Sequence, residues 1–242
     1  MSRNHTELML EEFGAIIKSQ VNLQTKEATA TIQPGAILKG QNITVPGDIS
    51  SAAYFIAAGL IVPQSEILIK NVGINPSRSG ILTICKKMGG DLTLLDERTV
   101  GGEPVADILV KTSQLKGTVI DGEIIPTLID EIPIIAVMAA VAEGETVIKD
   151  AAELRVKETD RVETITDNLA SMGVSVTTQK DGMIIQGGRP LKGALIHPLL
   201  DHRIAMAFSI AALVAEGNTR ILDNQCVDVS YPSFYDTFEK LL

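Results

Sequence analysis

The stretch DISSAAYFIAAG, residues 48–59, is the first of three related segments that decide how this chain of 242 residues folds. The other two are DEIPIIAVMAA, residues 130–140, and DHRIAMAFSIAA, residues 201–212. In each segment an aspartate precedes an alanine-rich apolar run, and a helix without a polar face has to be covered on all sides. The segments therefore predict three interior helices that recur along the chain as parts of a repeat.

Strands and more amphipathic helices follow the three segments in the same order each time. An alternating, β-branched run comes first and predicts a strand, at residues 67–70, 146–149 and 219–222. A second helix is predicted next, at residues 79–88, 158–172 and 232–242. Glycine follows the first two of these helices, as is typical of helix ends. Two more strands close each of the first two units, at residues 91–95 with 107–111 and 175–178 with 182–186.

This order of elements predicts an α+β fold built from β-α-β-α-β-β units. Around a pseudo-threefold axis, three such units would enclose the alanine-rich helices and place the sheets outside. An ordinary α/β sheet stays open as the alternative, because strands and helices also alternate in that class.

A domain boundary is expected near Pro46-Gly47. Residues 1–45 contain a helix-like segment that ends at Gly14 and an alternating run at 27–33, so they resemble the last unit of another domain. Residues 46–242 would then hold the repeat, in units at about 46–115, 116–192 and 193–242, the last one partial. Both ends look incomplete against the repeat, which suggests a fragment of a longer protein or a fold whose termini complete each other's units.

Composition narrows the class of partner. The formal net charge of -9 argues against nucleic acid, since binding a phosphate backbone needs a basic face. No run reaches the roughly 18 apolar residues of a membrane span, and the first residues lack the apolar core of a signal peptide. We therefore expect a soluble, cytoplasmic protein without membrane contact. Cys85 and Cys226 are too few for a disulfide framework and are expected to be buried in a reducing compartment.

The densest charge lies in RVKETDR, residues 155–161, which holds three cations and two carboxylates. If Glu158 opens the following helix, Arg161 lies at i+3 on the same edge of its first turn. A carboxylate beside cations at a helix start suits anion binding coupled to proton transfer. The alternative is a solvated helix start, which is the usual fate of a charge run. Residues 74–79, the counterpart in the first unit, hold one charge, so the fold itself does not require the cluster.

Aspartates at the three helix starts are expected near one end of the bundle. One interpretation is that Asp130 and Asp201 are helix caps with no catalytic role, and Pro133 fits a first helical turn after Asp130. His202 and Arg203 have no capping role, although a lone histidine is more often structural. Three scattered histidines argue against a metal site, and no glycine-rich phosphate loop occurs, so neither metal nor cofactor is expected. The remaining inventory of carboxylates, Arg and Lys suits acid/base chemistry on an anionic substrate.

The chain resembles the 5-enolpyruvylshikimate-3-phosphate synthase family over essentially its whole length. RVKETDR (155–161) and DHRIAM (201–206) are the most specific motifs. The likeness extends to GDISSAAY (47–54), DEIP (130–133) and SYPSF (230–234). Members of that family are longer and have two domains, each a threefold repeat of the inside-out barrel type, with the site in the cleft between them. The resemblance implies that this chain is the C-terminal half, whose partner is the N-terminal half of the same enzyme.

The resemblance also implies a reaction, in which the enolpyruvyl group of phosphoenolpyruvate moves to the 5-hydroxyl of shikimate 3-phosphate and phosphate is released. Glu158 would be the acid/base that protonates the phosphoenolpyruvate methylene and later removes that proton. Asp130 would bind and help to deprotonate the 5-hydroxyl. His202 and Asp201 would support the site without touching substrate.

The same resemblance assigns the substrate-binding cations. Arg161 and Arg203 would hold the phosphate and the carboxylate of phosphoenolpyruvate, where the bidentate geometry of a guanidinium matters. Lys157 and Arg3 would contact shikimate 3-phosphate.

Three features depart from the family pattern. The lysine and arginine motifs of the family's other half are absent. A lysine that is frequent in the final loop is missing at residues 224–226. Leu199-Leu200 stand before Asp201 where glycine or a small polar residue is usual, so the approach to Arg203 is expected to differ.

Three functional hypotheses are consistent with this sequence. In the first, the chain is the C-terminal part of the synthase, carries about half of its catalytic groups and is inactive or nearly so alone. In the second, it is a non-catalytic module that complements a separately made N-terminal half, and its exposed cleft face could also pair two copies in a non-native dimer. The third is UDP-N-acetylglucosamine enolpyruvyl transferase, which we disfavour because neither Cys85 nor Cys226 looks reactive.

Overall fold

The computed structural model describes residues 3–22, 24–25 and 27–241. The chain opens with helix α1 (His5–Glu12) and an antiparallel pair of strands, β1 (Ile16–Val21) and β2 (Ala28–Gln33). Gly14 follows α1 with φ of 95°, a left-handed conformation that glycine adopts without a Cβ penalty at a helix end.

The first repeat unit is a helix followed by a three-stranded sheet with a second helix. Its elements are α2 (Ile49–Ile61), β3 (Glu66–Gly73), α3 (Gly80–Lys87), β4 (Asp91–Val100) and β5 (Glu103–Lys111). The strand order is β3-β5-β4, with antiparallel pairing throughout. Gly47 adds a parallel bridge to Val72, so the residues just before α2 take the place of a first strand.

The second unit has the same order with a longer first strand. Its elements are β6 (Val119–Ile120), α4 (Ile132–Val141), β7 (Glu145–Ile148), α5 (Arg161–Ser171), β8 (Ser175–Gln179) and β9 (Gly182–Gln186). The strand order is β6-β7-β9-β8, in which β6 runs parallel to β7 and the other pairs are antiparallel.

The third unit keeps the helices but has only short strand pairs. Its elements are β10 (Leu191–Lys192), β11 (Leu195–Ile196), α6 (His202–Ala212), β12 (Ala215–Glu216), β13 (Arg220–Ile221) and α7 (Phe234–Glu239). Strand β10 pairs with β12 and β11 with β13, both parallel, which repeats the first-strand pairing of the other units.

Helices α2, α4 and α6 pack against one another at the centre of the molecule, as their alanine-rich sequences predict. Small side chains let helix backbones approach closely, while isoleucine and methionine fill the space between them. Six aromatic residues gather at one side of this core, namely Tyr54, Phe55, Tyr231, Phe234, Tyr235 and Phe238. Phe234 is fully buried there, and its ring centroid lies 5.8 Å from that of Tyr54 and 5.1 Å from that of Tyr235. The contact between Phe234 and Tyr54 packs α7 against α2.

The α+β repeat with interior alanine-rich helices and outer sheets is confirmed, and two predicted helix starts are wrong. Helix α5 begins at Arg161 rather than Glu158, because the Asp160 carboxylate caps it by accepting a hydrogen bond from the Glu163 amide at 3.2 Å. Asp130 is not the cap of α4. It lies in a short 3-10 turn, Ile129–Glu131, and α4 starts after that turn with Pro133 in its first turn.

Other differences concern short or terminal elements. The pattern did not predict β1, β6, β10, β11 or β12, and four of these are only two residues long, too short for a periodicity to register. Helix α7 is shorter than the predicted span 232–242, whose last residue lies outside the described residues. Among the described residues, no helix combines the length and hydrophobicity that crossing a membrane requires.

The loop before α6 is strained. Leu199 and Leu200 have φ of 54° and 67°, and they are 62% and 67% exposed. In the left-handed region the Cβ of an L-residue crowds the following carbonyl, which costs roughly 1–2 kcal/mol per residue. Because the two side chains bury little surface, packing does not offset this cost.

Replacing Leu200 with glycine should therefore stabilise the protein. Glycine removes the left-handed penalty but loses more chain entropy on folding, so the expected net gain is about 1 kcal/mol in the free energy of unfolding. Urea unfolding of Leu200→Gly against the unchanged chain measures it. The matched control is Leu38→Gly, at an exposed leucine that is not among the positive-φ residues, where glycine should destabilise. A loss of stability in Leu200→Gly equal to that of the control would contradict the assignment of strain.

Candidate active site

The candidate site lies where the three central helices begin. The Asp48 side chain accepts a hydrogen bond from the Ser51 amide at 2.9 Å at the start of α2. The Asp201 side chain accepts one from the Arg203 amide at 2.9 Å at the start of α6. Asp130 lies in the turn before α4. Helix N-termini carry partial positive charge, so their convergence favours anions at this end of the bundle.

Four cationic side chains from three segments of the chain surround the Asp130 carboxylate. Nitrogen–oxygen distances to it are 3.8 Å from Arg3, 3.5 Å from Lys157, 3.7 Å from Arg161 and 3.8 Å from Arg203. These distances exceed those of a good hydrogen bond, so the cations gather around the carboxylate without closing tight pairs on it. The donors directed at Asp130 therefore remain available to an anionic ligand.

Arg161 is the most deeply buried of these cations, with none of its side chain exposed. Its Nε donates to Asp201 Oδ2 at 2.8 Å, and its Nη2 donates to Glu158 Oε2 at 2.6 Å. Its Nη1 is buried and has no hydrogen-bond partner among the described residues, and Arg3 Nη1 is in the same condition. A buried unpaired donor costs roughly 1–3 kcal/mol, so both atoms mark where an acceptor from a ligand would be stabilising.

Glu158 lies at the open edge of this cluster. It belongs to the extended segment between the 3-10 turn Ala152–Val156 and α5, and its side chain is 47% exposed. The next residue ties this segment down, because Thr159 Oγ1 donates to Asp201 Oδ2 at 3.3 Å. Glu158 is thus held beside Arg161 while its carboxylate stays reachable from solvent, as an acid/base group requires.

The charged run 155–161 divides into structural and site-facing residues. Arg155 donates to the carbonyls of Gln179 and Lys180 at 2.6 and 2.7 Å, and to the Asp160 carboxylate at 2.8 Å. It therefore fixes the start of α5 against the β8–β9 turn and takes no part in the cluster around Asp130. Lys157, Glu158 and Arg161 face that cluster. The hypothesis of an anion site therefore concerns those three residues, whereas Arg155 and Asp160 stabilise the start of α5.

The cations control the ionisation of the site. Burial by itself would raise the pKa of Asp130, but Arg203, Lys157 and Arg161 outweigh it and hold that pKa below its usual value. The neighbouring Glu131 is 2% exposed, and its burial raises the pKa of its carboxyl above the usual value. Burial, followed by the charge of Arg203, lowers the pKa of His202. The two adjacent carboxyls therefore have different proton affinities.

Asp201 and His202 occupy different surroundings. Asp201 is fully buried and does two things, since it caps α6 and binds Arg161 through both carboxylate oxygens, at 2.8 and 3.3 Å. The cap expected for this residue is confirmed. His202 is half-buried at the first position of α6, and its ring makes no hydrogen bond to another described residue.

Sequence reasoning missed a second polar chain behind Arg203. Arg78 Nη2 donates to Ser50 Oγ at 2.6 Å, and Ser50 in turn donates to the buried Glu131 carboxylate. Glu131 Oε1 lies 3.9 Å from Arg203 Nη1. One signal could have indicated it: Ser50 and Glu131 are polar residues at the starts of otherwise apolar helices.

Both cysteines are free and buried, as predicted. Burial raises the pKa of the Cys85 thiol to about 12, so this residue is a poor nucleophile near neutral pH. Burial also raises the pKa of Cys226. Neither supports a mechanism through a reactive cysteine.

Comparisons with known proteins identify the family of this chain. The family model of EPSP synthase (3-phosphoshikimate 1-carboxyvinyltransferase) matches residues 1–238. Curated 3-phosphoshikimate 1-carboxyvinyltransferases from Thermoanaerobacter sp. (strain X514) and Brevibacillus brevis are 57% and 54% identical. The alignments cover 99% and 100% of this chain and 55% of each relative.

Solved structures place the fold in the same group. An EPSP synthase structure from Acinetobacter baumannii superposes with a TM-score of 0.93 at 41% identity, over 100% of this chain and 55% of that one. The enolpyruvyl transferase NikO from Streptomyces tendae has a TM-score of 0.69 at 17% identity, over 96% of this chain and 51% of that one, and shows the fold alone. This chain spans about half the length of the curated relatives it matches. With the family match along nearly all of its residues, the chain belongs to the EPSP synthase family.

Proposed function

We propose that this chain forms one wall of the active site of a 3-phosphoshikimate 1-carboxyvinyltransferase, which moves the enolpyruvyl group of phosphoenolpyruvate to the 5-hydroxyl of shikimate 3-phosphate. The observation that carries the proposal is the set of four cations around Asp130, which includes a buried Arg161 donor without a partner among the described residues. Both substrates are anions, and such a cluster would offset the net charge of -9 locally.

Two carboxylates would move the protons. Glu158 would protonate the methylene carbon of phosphoenolpyruvate while the 5-hydroxyl oxygen bonds to its central carbon, and Asp130 would accept the hydroxyl proton. In the second step Glu158 would take a proton back from the new methyl group as the carbon–oxygen bond to phosphate breaks. Asp130 suits its task because the surrounding cations keep it ionised near neutral pH.

The cations would divide between the two substrates. Arg161 and Arg203 would hold the phosphate and carboxylate of phosphoenolpyruvate, since their planar guanidinium groups offer paired donors. Lys157 and Arg3 would contact shikimate 3-phosphate. His202 and Asp201 would support the site, Asp201 through its two hydrogen bonds to Arg161.

The remaining parts of the proposal concern assembly. Residues 1–45 would be the last unit of a second domain, and residues 46–242 most of the domain described by the repeat. The enzyme's N-terminal half would supply the opposite wall of the cleft, so the isolated chain is expected to be inactive or nearly so, or to work only by complementing that half. Its cleft face could pair two copies in a non-native dimer. The reaction would take place in the cytoplasm.

A complementation assay tests this proposal. The other wall comes from the part of the Thermoanaerobacter sp. relative that this chain does not match. Phosphate release from phosphoenolpyruvate and shikimate 3-phosphate should rise at least about 10²-fold when the two parts are mixed, because each oriented donor contributes on that order to the rate. Each part alone is the control. Full turnover by this chain alone, or no gain on mixing, would contradict the proposal.

In the assembled enzyme, Glu158→Gln should lower kcat by about 10²- to 10⁴-fold, because glutamine cannot transfer a proton to carbon. The phosphoenolpyruvate KM should change little, since the amide still occupies the place beside Arg161. Glu97→Gln, at an exposed position of β4, is the matched control and should keep full activity. Equal rates for the two variants would remove Glu158 from the mechanism.

Stability should depend on pH through Asp130. Its folded-state pKa is lowered, so its charge stabilises the fold above its unfolded pKa of about 3.9, and this contribution is lost as the pH falls through the lower folded value. Asp130→Asn should therefore lower the free energy of unfolding at pH 7, on the order of 1 kcal/mol. The difference between variant and parent should shrink below about pH 4. Urea unfolding of both proteins from pH 7 to pH 3 measures it, and a difference that does not vary with pH would contradict the lowered pKa.

A further inference from the structure

Behind the substrate-facing cations, two hydrogen bonds and one ion pair link side chains of all three repeat units. It starts at Arg78, in the loop before α3, and passes to Ser50 in the first turn of α2 at 2.6 Å. Ser50 donates to Glu131, which lies next to α4 and faces Arg203 of α6. Glu131 is 2% exposed and Ser50 4%. No part of the mechanism above uses Glu131 or Ser50.

Arg203 is held on one side only. Its Nη1 lies 3.4 Å from the Asp130 carbonyl oxygen and 3.9 Å from Glu131 Oε1. Its Nη2 lies 3.8 Å from Asp130 Oδ2, and its Nε makes no hydrogen bond to another described residue. The Nε–Nη2 edge of a guanidinium can form paired hydrogen bonds with a carboxylate or phosphate, and in Arg203 this edge makes no hydrogen bond to another described residue.

The surroundings leave Arg203 room to turn away. A cavity of about 40 Å³ borders Arg203, and Asp48, Tyr54 and Ser230 are among its other lining residues. Asp48 would compete for the guanidinium in that cavity, but Arg78 Nη2 already lies 3.6 Å from Asp48 Oδ1. The remaining nearby anions are Asp130 and Glu131, both on the side where Arg203 is found.

We infer that Glu131 is a positioning residue, which draws the Nη1 side of Arg203 toward α4 and so presents the Nε–Nη2 edge to an anionic substrate. A buried carboxylate is costly unless charges and donors compensate it, and here Arg203 and the Ser50 hydroxyl do so. Arg78 affects Arg203 indirectly, because it orients the Ser50 hydroxyl and pairs with the Asp48 carboxylate. The inference rests on the proposed function for the identity of the substrate, but the orientation of Arg203 can be measured without it.

The first measurement uses the ligand-free chain. The Arg203 Nε–Hε NMR signal is assigned by its loss in Arg203→Lys, and ¹⁵N relaxation gives its order parameter. In the unchanged chain we expect an order parameter of about 0.85, as in rigid groups. In Glu131→Gln we expect an order parameter below about 0.6, the range of flexible groups. Arg155, which is bound to backbone carbonyls, should keep its order in both proteins.

Matched variants separate positioning from loss of structure. Glu143→Gln makes the same chemical change at an exposed position beyond the other end of α4 and should leave Arg203 ordered. Ser50→Ala should loosen Arg203 in the way Glu131→Gln does, whereas Ser50→Thr, which keeps the hydroxyl, should restore it. If Glu131→Gln fails to fold, the two Ser50 variants still decide the question.

The second measurement uses the enzyme assembled with the missing part. Glu131→Gln should raise the phosphoenolpyruvate KM about tenfold with a smaller change in kcat, because lost orientation weakens binding to substrate and transition state alike. Partial unfolding would instead reduce kcat by reducing the amount of active enzyme. Unchanged Arg203 order, or an unchanged KM in an active assembly, would overturn the inference. If the unchanged assembly shows no turnover, the proposed function fails, and the NMR measurement alone decides whether Glu131 positions Arg203.

Discussion

The buried ion pair between Arg161 and Asp201 is the interaction on which the arrangement of the site depends. Neither side chain is exposed, and the pair joins the first residue of α5 to the cap of α6. Removing one partner of such a pair leaves an uncompensated charge in the core, which typically costs roughly 3–5 kcal/mol. The pair therefore fixes the second unit against the third. The same ion pair holds Glu158 and Arg203 at the site, because Glu158 is close in sequence to Arg161 and Arg203 is close in sequence to Asp201.

Close packing of the central helices explains why so many charges meet at one place. Helices α2, α4 and α6 bury alanine-rich surfaces against each other, so their N-termini converge within reach of long side chains. Three units of similar fold thus supply different polar groups to a shared end: Ser50 from the first, Asp130 and Glu131 from the second, and Arg203 from the third. The packing of the helices determines where the site lies. Its chemistry depends on the few positions at which the three units carry different residues.

Much of this could be predicted from sequence, for physical reasons that particular residues illustrate. The alanine-rich segments predict the interior helices because nothing else accommodates a long apolar run with no polar face. The cluster of Lys157, Glu158 and Arg161 was recognisable because the first unit lacks its charges. Helix starts were harder to predict. The pattern placed the start of α5 at Glu158, whereas Asp160 caps it, and Asp130, a possible cap in sequence, lies in a separate turn before α4.

The polar chain through Arg78, Ser50 and Glu131 was not predicted, because its members are far apart in sequence and a polar residue at an apolar helix start does not reveal which group it contacts. The strained Leu199-Leu200 pair was visible only as a departure from the residues usual before Asp201. Its left-handed backbone leads directly into Asp201, whose contact with Arg161 spans 40 residues. Sequence patterns report local preference and burial, whereas these features arise from long-range contacts.

If the cations around Asp130 form an anion site within this chain, phosphoenolpyruvate should bind to them. Titration of phosphoenolpyruvate into the ¹⁵N-labelled chain, followed through arginine side-chain NMR signals, measures this binding. We expect saturable shifts of the Arg161 and Arg203 guanidinium signals and none for Arg155, which is six residues from Arg161 but bound to the carbonyls of Gln179 and Lys180. Equal shifts of all three arginines, or no saturable shift of Arg161, would contradict the anion site.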